Sequence, residues 1–270
     1  MFHLSLPPSP PSPNAPTILL LHGALSSHLQ SALVTPHLQS YHVLVPDLPG
    51  HARSSALTPA TIPSITDRVA CLIRAHARDG GRAHVADMSM GGFVALDLAR
   101  RYPELCLSAF LSGATPFVGG GVNAFLARHT WVLYYGLFLV NKVMPDGVYW
   151  WMCRRLGLRR HEALRREMCA NTRWTLVQEV YGSILGIGWE EIRAVDRVRC
   201  LAVAGGKQDQ VDMTKRMGEV WKKSGNVESR AVVVKEAVHA WDLQMPELLA
   251  DGIKSWVEET ELPEEFEALD

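Results

Sequence analysis

Apolar residues come along this chain in two rhythms. Short unbroken runs alternate with longer segments in which apolar positions recur every three or four residues. Thr17-Ile18-Leu19-Leu20-Leu21 is an unbroken run, the pattern of a strand buried on both faces of a parallel sheet. Similar runs predict strands at Tyr41 to Val45, Ala83 to Ala86, Leu107 to Leu111, Cys200 to Ala204 and Ala231 to Val234. The second rhythm is clearest at Ile65, Val69, Leu72 and Ile73, which predicts a helix from Ser64 to Arg78. Helices are also expected near Gln30 to Gln39, interrupted by Pro36, and at Gly92 to Arg101, Met213 to Lys223 and Pro246 to Glu258. Pro7 to Pro16, rich in proline and serine, reads as an extended lead-in.

Strands alternating with helices imply an α/β chain with a doubly wound, mostly parallel sheet. The alternation stops after Leu111. Residues 115–187 carry a triple glycine, Gly119 to Gly121, and then helical sequence dense in tryptophan and tyrosine. The expected organisation is a core from 1–114 and 188–270 with a helical insertion at 115–187. The glycines are a plausible hinge, since glycine accepts large φ/ψ changes. No internal repeat is visible.

Composition narrows the function classes. At 270 residues and 47% hydrophobic, the chain has material for one sizeable core. A formal net charge of −1 leaves no whole-chain footprint for nucleic acid. Cys71, Cys106, Cys153, Cys169 and Cys200 are odd in number and scattered, without metal-ligand spacing. Reduced thiols, a cytoplasmic location and no metal or organic cofactor are the expectations. Met1 to Asn14 lacks the basic and apolar regions of a secretory signal. The most apolar stretch, Trp131 to Val140, falls short of the roughly 20 residues a spanning helix needs, though it could touch a membrane surface. The expected partners are a small-molecule substrate and, as one option, a second copy of the chain.

In an open parallel sheet, functional groups collect at the carboxyl ends of the strands. The strand Ala83 to Ala86 leads into Asp87-Met88-Ser89-Met90-Gly91-Gly92, a serine on a tight strand-to-helix turn. It departs from the G-x-S-x-G pattern only at Asp87. The strand Cys200 to Ala204 leads to Asp209, and the last strand leads to His239. The order Ser89, Asp209, His239 is what nucleophilic acyl transfer on this topology requires. His239 takes the serine proton, and Asp209 fixes the imidazole tautomer.

Leu20-Leu21-His22-Gly23, Asp47-Leu48-Pro49-Gly50-His51-Ala52-Arg53-Ser54, Ser89-Met90-Gly91-Gly92, Gly206-Lys207-Gln208-Asp209 and His239-Ala240-Trp241 stand in the chain in that order. Together they make the chain resemble the cap-containing α/β-hydrolase family over nearly its whole length. The resemblance implies an oxyanion hole from the backbone N–H groups of Ala24 and Met90. It also implies that residues 115–187 are the cap that roofs the pocket. The sequence departs from the family at Asp87, at Glu236-Ala237-Val238 before His239, and at the N-terminus, where Met1 to Leu6 alone is available for edge strands.

Several residues admit plainer readings. Asp209 also suits a helix N-cap, and His239 a surface histidine. His22 is expected to brace the backbone around the oxyanion loop, and Asp47 and His51 to brace theirs. Asp87, Trp131, Tyr135, Trp150 and Trp241 are the candidates for the substrate pocket, although aromatic residues in such a segment are more often core. Asp87 should find its partners among the N–H groups at the start of the following helix. The arginines at 154, 155, 159, 160, 165 and 166 read as a solvated face, with an anionic substrate as the sharper alternative. The leading function is a serine hydrolase of a small to medium, mostly apolar ester, thioester or lactone. The alternatives are a non-hydrolytic lyase, condensing or cyclising enzyme with His239 as general base, and a ligand-binding receptor.

Overall fold

The unbroken apolar runs become the interior of one sheet. In this computed structural model, which describes residues 1–117, 125–126 and 128–269, strand β2 (Thr17–Leu21) is buried at every position. Its side chains alternate between two cores: Leu19 and Leu21 face one, Ile18 and Leu20 the other. Strand β6 (Cys200–Gly205) divides in the same way, with Cys200 and Ala202 on the first side and Leu201 and Val203 on the second. A strand that feeds two cores needs apolar residues at consecutive positions, which is why these segments do not alternate with polar ones.

The other strands are β1 (His3–Leu6), β3 (His42–Pro46), β4 (Ala83–Asp87), β5 (Cys106–Ser112), β7 (Arg230–Val234) and β8 (Phe266–Ala268). The sheet order is β1-β3-β2-β4-β5-β6-β7-β8. The six inner strands pair parallel, while β1 and β8 close the edges antiparallel. Neither edge strand had a legible period; β8 is three residues long and only Phe266 is buried.

Helices α1 (Ile62–His76) and α2 (Met90–Arg101) cover the first face, with Ile65, Val69, Phe93 and Val94 in its core. The expected helix near Gln30 to Gln39 is instead two 3₁₀ turns, His28–Leu33 and Thr35–His37. Pro36, which cannot donate a backbone hydrogen bond, lies within the second.

After β5 the chain forms α3 (Thr130–Phe138), a π-turn (Leu139–Val143), α4 (Asp146–Arg155), α5 (Glu162–Asn171), α6 (Trp174–Ile184) and α7 (Trp189–Arg193). The triple glycine Gly119 to Gly121 lies outside the described residues. Helix α6 joins the first core through Leu176, Val177, Val180 and Ile184, whereas α3 buries none of its residues. Then α8 (Val211–Lys223) packs beside β6 and β7, and α9 (Pro246–Glu258) covers the second face. Among the described residues, no helix is long and apolar enough to cross a membrane.

One contact sets the height of α2 above the sheet. A Cβ added at Gly91 would lie 2.6 Å from the carbonyl oxygen of Leu21, a backbone atom inside β2 that cannot move aside. Gly91→Ala is therefore expected to destabilise the protein by about 1–3 kcal/mol through overpacking. Gly136 in α3 has nothing within 4 Å of the corresponding position. Gly136→Ala should be neutral or stabilising by up to about 1 kcal/mol. Urea unfolding of the two variants checks this contrast.

Candidate active site

Strand β4 delivers Ser89 to the carboxyl edge of the sheet, and α2 begins at the next residue. Ser89 has φ 56° and ψ −110°, one of four non-glycine residues at positive φ among those described. Such a conformation costs on the order of 1–3 kcal/mol and persists only where the surroundings enforce it. Here the Ser89 amide donates to the Ser112 carbonyl at 2.7 Å, tying the turn to the end of β5. Gly92 permits the helix to descend so close. A Cβ there would lie 2.3 Å from Cβ of Ala114 and 2.7 Å from Oδ1 of Asp87.

The ends of β6 and β7 bring Asp209 and His239 together. The Gly205 amide donates to Asp209 Oδ2 at 2.7 Å, and Asp209 Oδ1 lies 2.6 Å from Nδ1 of His239. Facing a carboxylate, Nδ1 carries the proton. The His239 amide donates to Gln208 Oε1 at 2.9 Å, so the loop that supplies Asp209 also fixes the backbone beside His239. Gly113, at φ 65°, lies against both side chains. A Cβ there would lie 2.8 Å from His239 Nδ1 and 3.4 Å from Asp209 Oδ2. Gly113 follows Ser112, which holds the Ser89 amide, so the serine turn and the His–Asp pair meet at the end of β5.

Burial of the His239 ring opposes its charged form. The hydrogen bond and charge of Asp209 outweigh that, with Asp242 adding, and the pKa lies above the usual 6.5.

The loops after β2 and β3 form the other wall. The Gly23 amide donates to Gln30 Oε1 at 2.8 Å, and the Leu25 amide to His51 Nε2 at 3.2 Å. Thus the amides on either side of Ala24 are taken by protein acceptors. On the serine turn the Ser89 and Gly91 amides, which flank that of Met90, are also taken, by Ser112 and Met88 carbonyls. His22 accepts from the Leu48 amide at Nε2 and donates from Nδ1 to the Gly23 carbonyl. Those two roles fix one neutral tautomer. Burial, with His51 nearby, pushes its pKa well below the ordinary value. Burial pushes His51 down to about 4. Asp47 accepts from the His28 amide and ring and from the Arg53 amide. All three sit where bracing residues were expected. Sequence reasoning missed Asn171 at the end of α5. Its amide donates to the Leu25 and Ser26 carbonyls, and its oxygen accepts from Ala52. Nothing local in the sequence signals a clamp that reaches back across 146 positions.

Comparison with known proteins agrees with this fold. Residues 16–143 match the family model described as the alpha/beta hydrolase fold. An AB hydrolase superfamily protein of Gibberella zeae is 31% identical over 96% of this chain and 86% of its own length. This chain belongs to the α/β-hydrolase superfamily. A pimeloyl-[acyl-carrier protein] methyl ester esterase of Aromatoleum aromaticum is 40% identical over 41% of this chain and 42% of its own. Among solved structures, a thermophilic esterase from Thermogutta terrifontis superposes with a TM-score of 0.71 at 19% identity. That match covers 96% of this chain and 93% of the other.

In this α/β-hydrolase, Asp87 is buried, and Oδ1 accepts from the Ser112 amide at 3.2 Å. The donor comes from β5, not from the start of α2 as expected, because the side chain points across the sheet. Burial raises its pKa well above the ordinary carboxyl value against the pull of that one N–H, which favours the neutral form. Asp87, Asp242 and Gln30 line a cavity of about 20 Å³ behind the serine turn, room for one water molecule. Asp242 is fully buried, and burial raises it to about 6, opposed by Gln30, the His239 charge and nearby backbone. Neither of its oxygens meets a donor at hydrogen-bonding geometry.

The aromatic candidates separate. Trp241 is sealed in the second core, with Nε1 donating to Ser112 Oγ at 2.7 Å, and so supports the site from behind instead of lining a pocket. Trp131 and Tyr135 face solvent. Trp150 is half-buried beneath the Arg160 guanidinium.

A carboxyl group raised from 3.8 to about 6 by folding stabilises the native state fully below its unfolded pKa and loses that contribution as pH rises through its folded one. The protein should therefore lose about 3 kcal/mol between about pH 4 and about pH 7 that Asp242→Asn does not lose. Denaturant unfolding at several pH values tests this. Asp209→Asn should lower the His239 pKa, read by NMR titration of the ring.

Proposed function

We propose that this α/β-hydrolase is a serine-dependent hydrolase of small to medium, mostly apolar esters, thioesters or lactones. The observation that carries the reading is the 2.6 Å contact of His239 Nδ1 with a carboxylate held by the Gly205 amide, beside the strained Ser89 turn. With Nδ1 committed to Asp209, Nε2 takes the proton of Ser89 Oγ as the oxygen attacks the acyl carbon. The amides of Ala24 and Met90 receive the developing oxyanion, their neighbours being engaged already. Such donors are worth about 2.7–4 kcal/mol each in a well-aimed hole. Collapse of the tetrahedral intermediate expels the alcohol or thiol, which His239 protonates. Water, activated by the same ring, then releases the acid.

Asp87 fits this chemistry because burial favours its neutral form. An ionised carboxylate beside Ser89 would oppose the oxyanion, whereas a protonated one does not. Residues 115–187 act as the cap. Asn171 and Arg173, which donates to the Gly50 carbonyl, join that segment to the loops that carry Ala24 and His51. The ester chemistry in the names of the Aromatoleum relative and of the Thermogutta esterase supports the same class.

A fluorophosphonate probe should label the protein at Ser89 and leave Ser89→Ala unlabelled. With a panel of acyl esters, Ser89→Ala should lose at least about 10³-fold in kcat with the fold intact. Asp209→Asn should lose orders of magnitude through the wrong tautomer, and Asp242→Asn less than about tenfold. Near-normal turnover by Ser89→Ala would sink the covalent mechanism. A larger loss at Asp242 than at Asp209 would reassign the orienting acid.

A further inference from the structure

The most apolar stretch of the chain is also among its most exposed. Helix α3 buries none of its nine residues, although all but Thr130, its first, are apolar or aromatic. Along α3 and the π-turn that continues it, Trp131, Tyr135, Leu139 and Val143 are exposed by 48%, 56%, 58% and 56%. They recur every fourth residue, so they form one stripe on a continuous helical run, about 18 Å from first to last. Val148 and Trp151 on the following helix, α4, are exposed as well. A soluble face this apolar marks a contact site.

The charge of the segment that carries the stripe says what it meets. Residues 130–166 hold seven lysines and arginines and two acidic residues, while the whole chain holds 27 and 28. Among the described residues, Lys142, Arg154, Arg155 and Arg166 are exposed and have no carboxylate within ion-pair distance, unlike Arg159 and Arg160, which pair with Glu247 and Glu162. Lys142 lies on the stripe's own last turn, and the Arg155 guanidinium sits 5.6 Å over the Trp151 ring. Tryptophan, tyrosine and aliphatic side chains on an exposed ridge, with unpaired cations on its last turn and on the next helix, match the boundary of a bilayer. The ridge enters the acyl region, the indole and phenol rings sit at headgroup level, and the cations meet phosphates.

We propose that the α3 ridge, with Lys142, Arg154 and Arg155, is a peripheral docking surface for an anionic phospholipid membrane. The ridge lies in the interface plane and does not span the bilayer. This surface is independent of the proposed chemistry, since none of Leu139, Val143, Arg154 and Arg155 belongs to the catalytic constellation.

The test is co-sedimentation of the full chain with phosphatidylcholine vesicles, alone or with about one part in three phosphatidylserine. Binding is expected to the anionic vesicles, to be much weaker on the neutral ones, and to fall as salt is raised. Arg154→Gln with Arg155→Gln should weaken it by about fivefold per charge removed. Leu139→Ser with Val143→Ser should also weaken it, and Lys223→Gln on α8 should leave it unchanged. Turnover of a soluble aryl ester and the melting temperature report whether each variant is folded. If the serine variant unfolds, the arginine variant and the salt dependence decide. Failure to sediment with anionic vesicles, or binding unaffected by these changes, would overturn the proposal. So would a dimer in light scattering that Leu139→Ser disperses, which would assign the ridge to a second copy of the chain.

Discussion

The arrangement of the site depends on how closely α2 lies on β2. Leu21 presents its carbonyl oxygen where a Cβ of residue 91 would be, and Ala114 and Asp87 fill the equivalent space at residue 92. With the helix pressed that far down, the chain leaving β4 has no room for an ordinary turn. Ser89 is driven to positive φ and held there through the Ser112 carbonyl. The same geometry engages the amides on either side of Met90. One steric constraint therefore places the serine and orders the N–H groups beside it. It costs stability locally, and the two buried cores around it supply the surplus.

The end of β5 ties the two halves of the site together. Ser112 holds the Ser89 amide with its carbonyl, donates its own amide to Asp87, and accepts from Trp241 with its hydroxyl. Gly113, the next residue, leaves space for the His239 ring and the Asp209 carboxylate. Strands β4, β5, β6 and β7 are neighbours in the sheet, so residues 89, 113, 209 and 239 converge although they are far apart in sequence. This is the physical content of reading function from the carboxyl ends of parallel strands.

Two carboxyl groups behind the turn share an environment and differ from Asp209 in consequence. Asp209 accepts from the Gly205 amide and faces His239. Asp87 has one backbone donor, and Asp242 has none at hydrogen-bonding geometry. Burial then favours their neutral forms.

The sequence by itself determined the class of fold and which groups are candidates for the site. Short apolar runs of about five residues, bounded by turn formers, pointed to strands buried on both faces, and Ser89, Asp209 and His239 could be picked out because each follows such a strand. His22, Asp47 and His51 were legible as bracing residues for the same reason, since they sit on short loops at those ends. Tertiary structure decided whatever depends on partners remote in the chain. The clamp of Asn171 on the loop around Leu25, the burial that raises the Asp87 pKa, and the burial of Trp241 against its expected place in the pocket all arise from contacts remote in sequence that no local period encodes. The same holds for the aromatic residues after position 130. Composition marked Trp131 and Tyr135 as apolar, but only the packed helices show that they point to solvent. A helix that is apolar on every side carries no periodic signal of which face is covered.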